Sequence, residues 1–487
     1  MLSILVCHSY FLHLDHKQVA RAKPYPPLAT LQVVAMLREA GHQVHFFDAM
    51  LAERMDQYDA VLNDSRPDLV LFYEDNFNFL SKMCLGAMRD AACQMIGSAS
   101  RAGARVIASG PDVTDAPAPY LRAGADFALI GEGLAALLEL VPRLEATPEA
   151  HDADLVSGLP GIATLSHGHV TTTSGTRIQA IAKDVGLAAW DLVDIEKYRS
   201  VWTQAHGYFS LNMAASRGCP FRCNWCAKPI WGNHYLQRNA TEVAAEMAHL
   251  KRSFKPDHIW FADDIFGFRV DWVTEFAAAA QALDAQIPFT IQTRADLISE
   301  RMAQALRDAG CQEAWLGAES GSQRVLDAMN KGTTVEEILT ARDRLKAVGI
   351  KVGFFIQLGY MDEQLKDILA TRDLLQHARP DEIGVSVAYP LPGTKFYDLV
   401  KAELRGKTRW QESNDLEMMF HGTYTSDFYR SVRNLLHDQV SLQAVESQLG
   451  AERETGARLL ANRWEDLLSR EMHYRTPADA VTATATG

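Results

Sequence analysis

Apolar and polar positions along this chain fall into a repeating strand–helix rhythm. LSILVCHS (2–9) is an apolar run of strand length. A polar stretch with Pro24, Pro26 and Pro27 follows, and then LATLQVVAMLREAG (28–41), helical in spacing and stopped by Gly41. HQVHFFDA (42–49), DLVLFYED (68–75), ARVIASGPD (104–112) and ADFALIGEG (125–133) read as four further strands. Helical segments lie between them at 50–64, across 78–103 and at 118–124, and a last one follows at 133–144. Such alternation predicts a doubly wound parallel sheet. Sheets of this kind bind ligands outside the carboxyl ends of their strands. The contact loops are therefore expected at 9–28, 74–79, 110–113 and 131–134. No G-x-G-x-x-G follows the first strand, which argues against a dinucleotide domain.

The rhythm pauses over 144–207, where LPGIATLSHGHVTTTSG (159–175) reads as a hairpin and DLVDIEKYRS (191–200) as an approach segment. It resumes with strands at 211–218, 257–266, 288–296, 312–322, 350–359 and 381–394. Helices lie between them at 240–254, 270–285, 299–310, 334–349 and 364–378. Successive strand–helix units predict a partial or full (β/α) barrel, whose chemistry sits at the C-terminal strand ends. Two helices are expected after it, near Ser426 and over 452–470, before a small polar tail at 478–487. The expected organisation is an α/β sheet domain (1–143), a linker packed on both neighbours (144–207), a (β/α)6 barrel (208–405) and a mostly helical region (406–487).

Composition narrows the function classes. Net charge is −13, with 47% hydrophobic residues. A nucleic-acid footprint would be basic, so no nucleic-acid partner is expected. No signal peptide or membrane-spanning run is read from the pattern, and the cysteines show no disulfide framework, so a reducing cytoplasm is expected.

Three of the seven cysteines, Cys219, Cys223 and Cys226, stand as C-x3-C-x2-C in ASRGCPFRCNWCAKP. The other four, Cys7, Cys84, Cys93 and Cys311, sit in apolar or helical surroundings and read as small hydrophobes. A zinc site usually pairs two C-x2-C halves, and no second half is present, although His234 is near enough in sequence to be a fourth ligand. Thiolates are the usual ligands of iron–sulfur clusters, and three of them leave one iron open to a non-protein ligand.

With this triplet the chain resembles the cobalamin-binding branch of the radical S-adenosylmethionine superfamily, over roughly residues 1–405. The resemblance implies a [4Fe–4S] cluster on Cys219, Cys223 and Cys226, with S-adenosylmethionine on the open iron. FADD (261–264), with Asp263 and Asp264, resembles the motif that holds the methionine amino group. Gln292 and Arg294 resemble third-strand polar contacts. WLGAESGS (315–322) resembles the ribose and carboxylate region, with Glu319 and Ser320. GFFIQLGYMDE (353–363) resembles the adenine segment around Ile356, with Gln357 and Tyr360 where glycine and proline are common. In the first domain, Pro27, Asp75, Asn76, Gly110, Pro111, Gly131, Glu132 and Gly133 are the implied cobalamin contacts. D-x-H-x-x-G is absent there, so a histidine from that motif is not expected below the cobalt; His8, His13 and His16 lie in or near the first loop.

The resemblance implies an enzyme that moves a methyl group from methylcobalamin to an unactivated carbon of a small organic substrate, after hydrogen abstraction by a 5′-deoxyadenosyl radical. Its alternative is a cyclase, oxidase or rearrangement enzyme of the same build without net methyl transfer. HGTYTSDFYR (421–430) resembles a stretch of the anaerobic cyclase that forms the fifth ring of chlorophylls. A non-enzymatic carrier is disfavoured, because Asp264, Arg294 and Glu319 imply a second ligand pocket. An external one-electron donor (flavodoxin or ferredoxin) and a monomeric state complete the expectation.

Overall fold

A computed structural model of the chain describes residues 1–77, 86–175, 187–226, 233–404, 416–444 and 450–477. The first sheet runs in the order β2 (Gln43–Phe47), β1 (Ser3–Cys7), β3 (Leu69–Tyr73), β4 (Arg105–Ser109), β5 (Phe127–Leu129), β6 (Ile162–Ser166), β7 (His169–Thr172). β1 to β5 are parallel. β3 is buried at every position, as a parallel strand covered on both faces must be. The hairpin read at 159–175 is present with its turn at His167–Gly168, and β6 pairs antiparallel with β5. That part of the 144–207 stretch therefore completes the first sheet. The approach segment is a helix, Ile195–His206, capped by Asp194, whose side chain accepts from Lys197 N.

The second sheet has six parallel strands in sequence order: β8 (Ser210–Met213), β11 (His258–Phe261), β12 (Phe289–Thr293), β13 (Cys311–Glu319), β14 (Lys351–Leu358) and β15 (Glu382–Val387). β8 and β15 are its two edges, so the barrel is partial. Residues on its outer row, such as Ala314, Leu316, Ala318, Val352, Phe354, Ile356 and Leu358, pack in the main apolar core. The alternate row faces inward, where Trp315 stacks on Phe355 at 4.8 Å between ring centroids. Gly353 makes that stack possible, since a Cβ there would meet the Trp315 ring at 2.5 Å. Deeper on the same inner face, Ser210, His258, Thr290 and Glu313 form one hydrogen-bond chain across four strands. Burial pushes His258 down to about 4, so its imidazole is neutral in that chain.

The strand expected at 211–218 is two strands. β8 ends at Met213, and Ser216–Gly218 (β9) turns away to pair antiparallel with Tyr235–Gln237 (β10). The break has a local cause: Ala215 N donates to Asp263 Oδ2 at 3.0 Å, pulling the backbone out of the barrel ladder. The strands expected at 104–112 and 125–133 are also shorter than read, because Pro111 opens a short helix and Gly131 and Gly133 turn the chain with positive φ. A helix at Gln323–Ala328 had no counterpart in the pattern. The C-terminal helices are Ser426–Ala444 and Gly450–Ser469; the tail read at 478–487, Cys84 and the start of the segment read across 78–103 lie outside the described residues. No helix among the described residues is long and apolar enough to cross a membrane.

Candidate functional site

The loop between β9 and β10 carries Cys219, Cys223 and Cys226, all half-buried. It is clamped by two neighbouring turns. Asn224 donates through its backbone N to Met329 O and through Nδ2 to Ala328 O, both at 2.9 Å. Asn330 Nδ2 donates to Arg222 O at 2.8 Å, and Phe396 N to Asn224 O at 3.0 Å. Among the described residues no group of three or more His, Cys, Asp and Glu side chains is arranged around a single ion, and His234 is exposed. Thiols spread along one loop, with three ligands and an open fourth position, suit the corners of a cluster.

Arg294 is 5% exposed, and its guanidinium is fully engaged. It binds Asp296 through Nε at 2.8 Å, donates through Nη2 to Lys331 O at 2.8 Å and Thr333 Oγ1 at 2.9 Å, and points Nη1 at Cys223 Sγ, 3.7 Å away. It also lies 3.7 Å over the Phe221 ring. It therefore contacts the cysteine loop directly. Gln292 lies half-buried on the inner row of β12, in register with Trp315.

Asp263 and Asp264 part company. Asp263 is buried, with one carboxylate oxygen taken by the Ser216 hydroxyl and the other by Ala215 N. Burial pushes it up to about 7 against those hydrogen bonds. It braces the cysteine hairpin, and only Asp264 of the pair is exposed. Glu319, at the end of β13, is 4% exposed, has φ of +61° and is ion-paired to Lys331 Nζ at 2.7 Å. A non-glycine residue in that region is strained, and such strain gathers at functional sites. Ser320 is turned into the wall, against Thr371 Oγ1 at 3.2 Å. Ile356 sits on the outer row, so its side chain cannot line the interior. Gln357 does, and its Oε1 finds no hydrogen-bond partner among the described residues; neither does Trp225 Nε1.

The loops at the carboxyl edge of the first sheet converge. Asp75 Oδ1 accepts from Ala29 N at 3.1 Å and Phe77 N at 3.2 Å, fixing its loop to the helix that begins after Pro27. Asn76 is 1% exposed, and Asn76 Oδ1 and Ser109 Oγ, both buried, lack partners among the described residues. Gly110 N-caps the helix that opens at Pro111, and Gly131 N takes Thr114 Oγ1 at 3.0 Å. Gly133 is required by space as well as by φ, for a Cβ there would meet Leu129 at 2.6 Å. His8 is held by Asp48 Oδ1 at 3.0 Å, and Tyr198 binds the other oxygen at 2.7 Å. Burial lowers the His8 pKa, but the Asp48 hydrogen bond and charge outweigh it and leave it raised. His13 and His16 are exposed.

The two candidate edges are joined directly. Arg217, two residues before Cys219, pairs with Glu132 Oε1 at 2.9 Å and Gln32 Oε1 at 2.6 Å. Nearby, Asn212 Nδ2 donates to Pro26 O at 3.0 Å, Tyr25 bonds Ser210 at 3.0 Å, and Trp202 Nε1 donates to Pro24 O at 2.7 Å. Pattern reading missed Arg217, Lys331 and Ser109, and noted Gln357 only as a departure in the adenine segment. Of the three missed, only Lys331 had a sequence signal, a lone lysine between two expected elements.

The radical SAM superfamily model matches residues 213–375, and the B12 binding domain model matches residues 19–141. An uncharacterized methyltransferase of Pyrococcus horikoshii is 26% identical over 77% of this chain and 78% of its own length. An anaerobic magnesium-protoporphyrin IX monomethyl ester cyclase of Cereibacter sphaeroides is 23% identical over 79% of this chain and 61% of its own. Among solved structures, the radical S-adenosylmethionine methyltransferase TsrM from Kitasatospora setae superposes with a TM-score of 0.68 at 18% identity, over 82% of this chain and 76% of that one. The cobalamin-dependent S-adenosylmethionine radical enzyme OxsB, solved with aqua-cobalamin and S-adenosylmethionine, gives 0.71 at 14% identity, over 96% of this chain and 72% of that one. This chain carries a B12 binding domain followed, in one polypeptide, by a domain of the radical SAM superfamily.

Proposed function

We propose that the protein is a cobalamin-dependent radical SAM enzyme acting on a small organic substrate, with its reaction confined between the two joined edges. The observation that carries this reading is Arg217, which ties the residues just before the cysteine loop to Glu132 and Gln32 at the open edge of the first sheet. When bound, the cluster with S-adenosylmethionine supplies a 5′-deoxyadenosyl radical, and cobalamin supplies a methyl carrier or a redox partner. Cys219, Cys223 and Cys226 hold the cluster, and Arg294 steadies it through Cys223. Glu319 and Gln357 offer carboxylate and amide groups to the ribose and amino acid parts of S-adenosylmethionine, and Asp264 offers a carboxylate to its ammonium. Asn76 and Ser109 offer their open polar atoms to the corrin edge. The apolar stack of Trp315 and Phe355 keeps water from the interior. A flavodoxin or ferredoxin supplies the electron.

Two outcomes belong to this build. Methyl transfer to an unactivated carbon has the support of the Pyrococcus horikoshii methyltransferase. Ring formation, oxidation or rearrangement without net methyl transfer has the support of the similarity to a cyclase over 79% of the chain. The anaerobic protein, reconstituted with iron, sulfide and cobalamin, is given reductant, methyl-labelled S-adenosylmethionine and candidate substrates. S-adenosylhomocysteine beside 5′-deoxyadenosine, with label in the product, establishes methyl transfer. 5′-Deoxyadenosine with an altered, unlabelled product establishes the second outcome. A reconstituted protein that cleaves no S-adenosylmethionine under reduction refutes the proposal.

A further inference from the structure

Lys331 is 7% exposed, in the turn after the Gln323–Ala328 helix. A buried ammonium needs a partner, and Glu319 provides one at 2.7 Å. The pair is oriented. Its ammonium end lies 5.9 Å from the ring centre of Trp225, between the second and third cysteines. The backbone on both sides of Lys331 is fastened to the same loop: Asn330 donates to Arg222 O, and Lys331 O accepts from Arg294, whose other nitrogen reaches Cys223. Space is reserved for the ammonium as well, because a Cβ on Gly317 would stand 2.6 Å from Lys331 Nζ. Burial lowers the Lys331 pKa, but the charges of Glu319 and Cys223 outweigh it, leaving the lysine charged.

We infer that Lys331 is a positioning residue for the cysteine loop whose fixed ammonium makes the cluster easier to reduce. The inference rests on the reading of Cys219, Cys223 and Cys226 as cluster ligands. One electron from an external donor lowers the charge of the cluster by one. A cation held beside it in a poorly screened interior stabilises the reduced form more than the oxidised form, so the potential rises. Glu319 has two tasks in this arrangement: it meets the ligand at the strand end and holds the cation in place.

Lys331→Met and Lys331→Arg are compared with the parent protein by EPR-monitored redox titration of the full chain after anaerobic reconstitution, with dithionite as the donor. With iron and sulfide content retained, Lys331→Met shifts the reduced-to-oxidised ratio about tenfold toward the oxidised cluster at a given potential, about 59 mV for a one-electron couple. Lys331→Arg restores the parent value. Losing the lysine alone strands a buried carboxylate, which can unfold the chain. The Lys331→Met/Glu319→Gln double variant removes both charges, and its potential also falls, since the ammonium is the end facing the loop. An unchanged potential in cluster-loaded Lys331→Met or in the cluster-loaded double variant overturns the inference. A parent protein that takes up no cluster overturns the reading of the cysteines instead.

Discussion

Glu363 has no exposed surface, and its two oxygens meet different surroundings. One accepts from Gly359 N at 2.6 Å; the other finds no partner among the described residues. Burial pushes its pKa up to about 8 against that hydrogen bond, and the neighbouring Asp367 adds to the rise. The sign follows. The fold prefers the protonated acid, so stability is full below the ordinary carboxyl range and is lost as pH rises through about 8. The loss is about 1.4 kcal/mol per unit of separation between folded and unfolded values, a few kcal/mol in all. Glu363→Gln keeps an acceptor for Gly359 without the charge. Urea denaturation between pH 5 and 9 is expected to show the parent losing stability relative to this variant; parallel curves would remove the argument. At this scale little could be read in advance. Asp263 and Asp264 are identical neighbours in sequence, yet one braces Ser216 and Ala215 while the other is exposed. Arg294 was legible as a strand-end cation, but its fastening to Cys223 was not, because the two are 71 residues apart.

Between elements, Gly321, just after β13, lies hard against the helix Leu365–Ala378. A Cβ on Gly321 would stand 2.2 Å from Ala370 O, and Gly321 N donates to Thr371 Oγ1 at 2.9 Å. The neighbour here is backbone, which cannot swing aside. Gly321→Ala is therefore expected to destabilise the protein by about 1–3 kcal/mol or more, read as a lower denaturation midpoint, and to loosen Glu319 two residues away. A midpoint equal to the parent's would show that the helix can shift freely. Elements themselves were largely legible, since period and punctuation are local properties. The helices at 28–41, 240–254, 299–310 and 334–349 appear within a residue or two of the expected bounds, and the last has a capping box of Thr334 and Glu337. Errors fell where a distant group intervenes. The strand at 211–218 looked continuous because Asp263, which breaks it, lies about fifty residues on.

At the scale of the molecule, the contact between the two domains includes polar groups that are mostly buried. The side chains of Arg217 and Glu132 are 12% and 0% exposed, and Arg217 also lies 5.6 Å over the Phe77 ring. Removing one member of such a pair costs about 3–5 kcal/mol, while removing both costs much less. A denaturation cycle of Arg217→Met, Glu132→Gln and the double variant is expected to show coupling of that order; independent effects would mean the domains dock by other contacts. The sequence alone determined the order and type of most of the elements, the triplet Cys219, Cys223 and Cys226, and the placing of acidic and basic groups at strand ends. These are set by neighbours along the chain. Tertiary structure alone decided which strand-end groups face the interior, that Gln357 does so where Ile356 was expected, and that Lys331 and Arg217 bind the cysteine loop to the rest. Those facts depend on strand row, register and through-space pairing between residues as far as 185 positions apart, which no local pattern encodes.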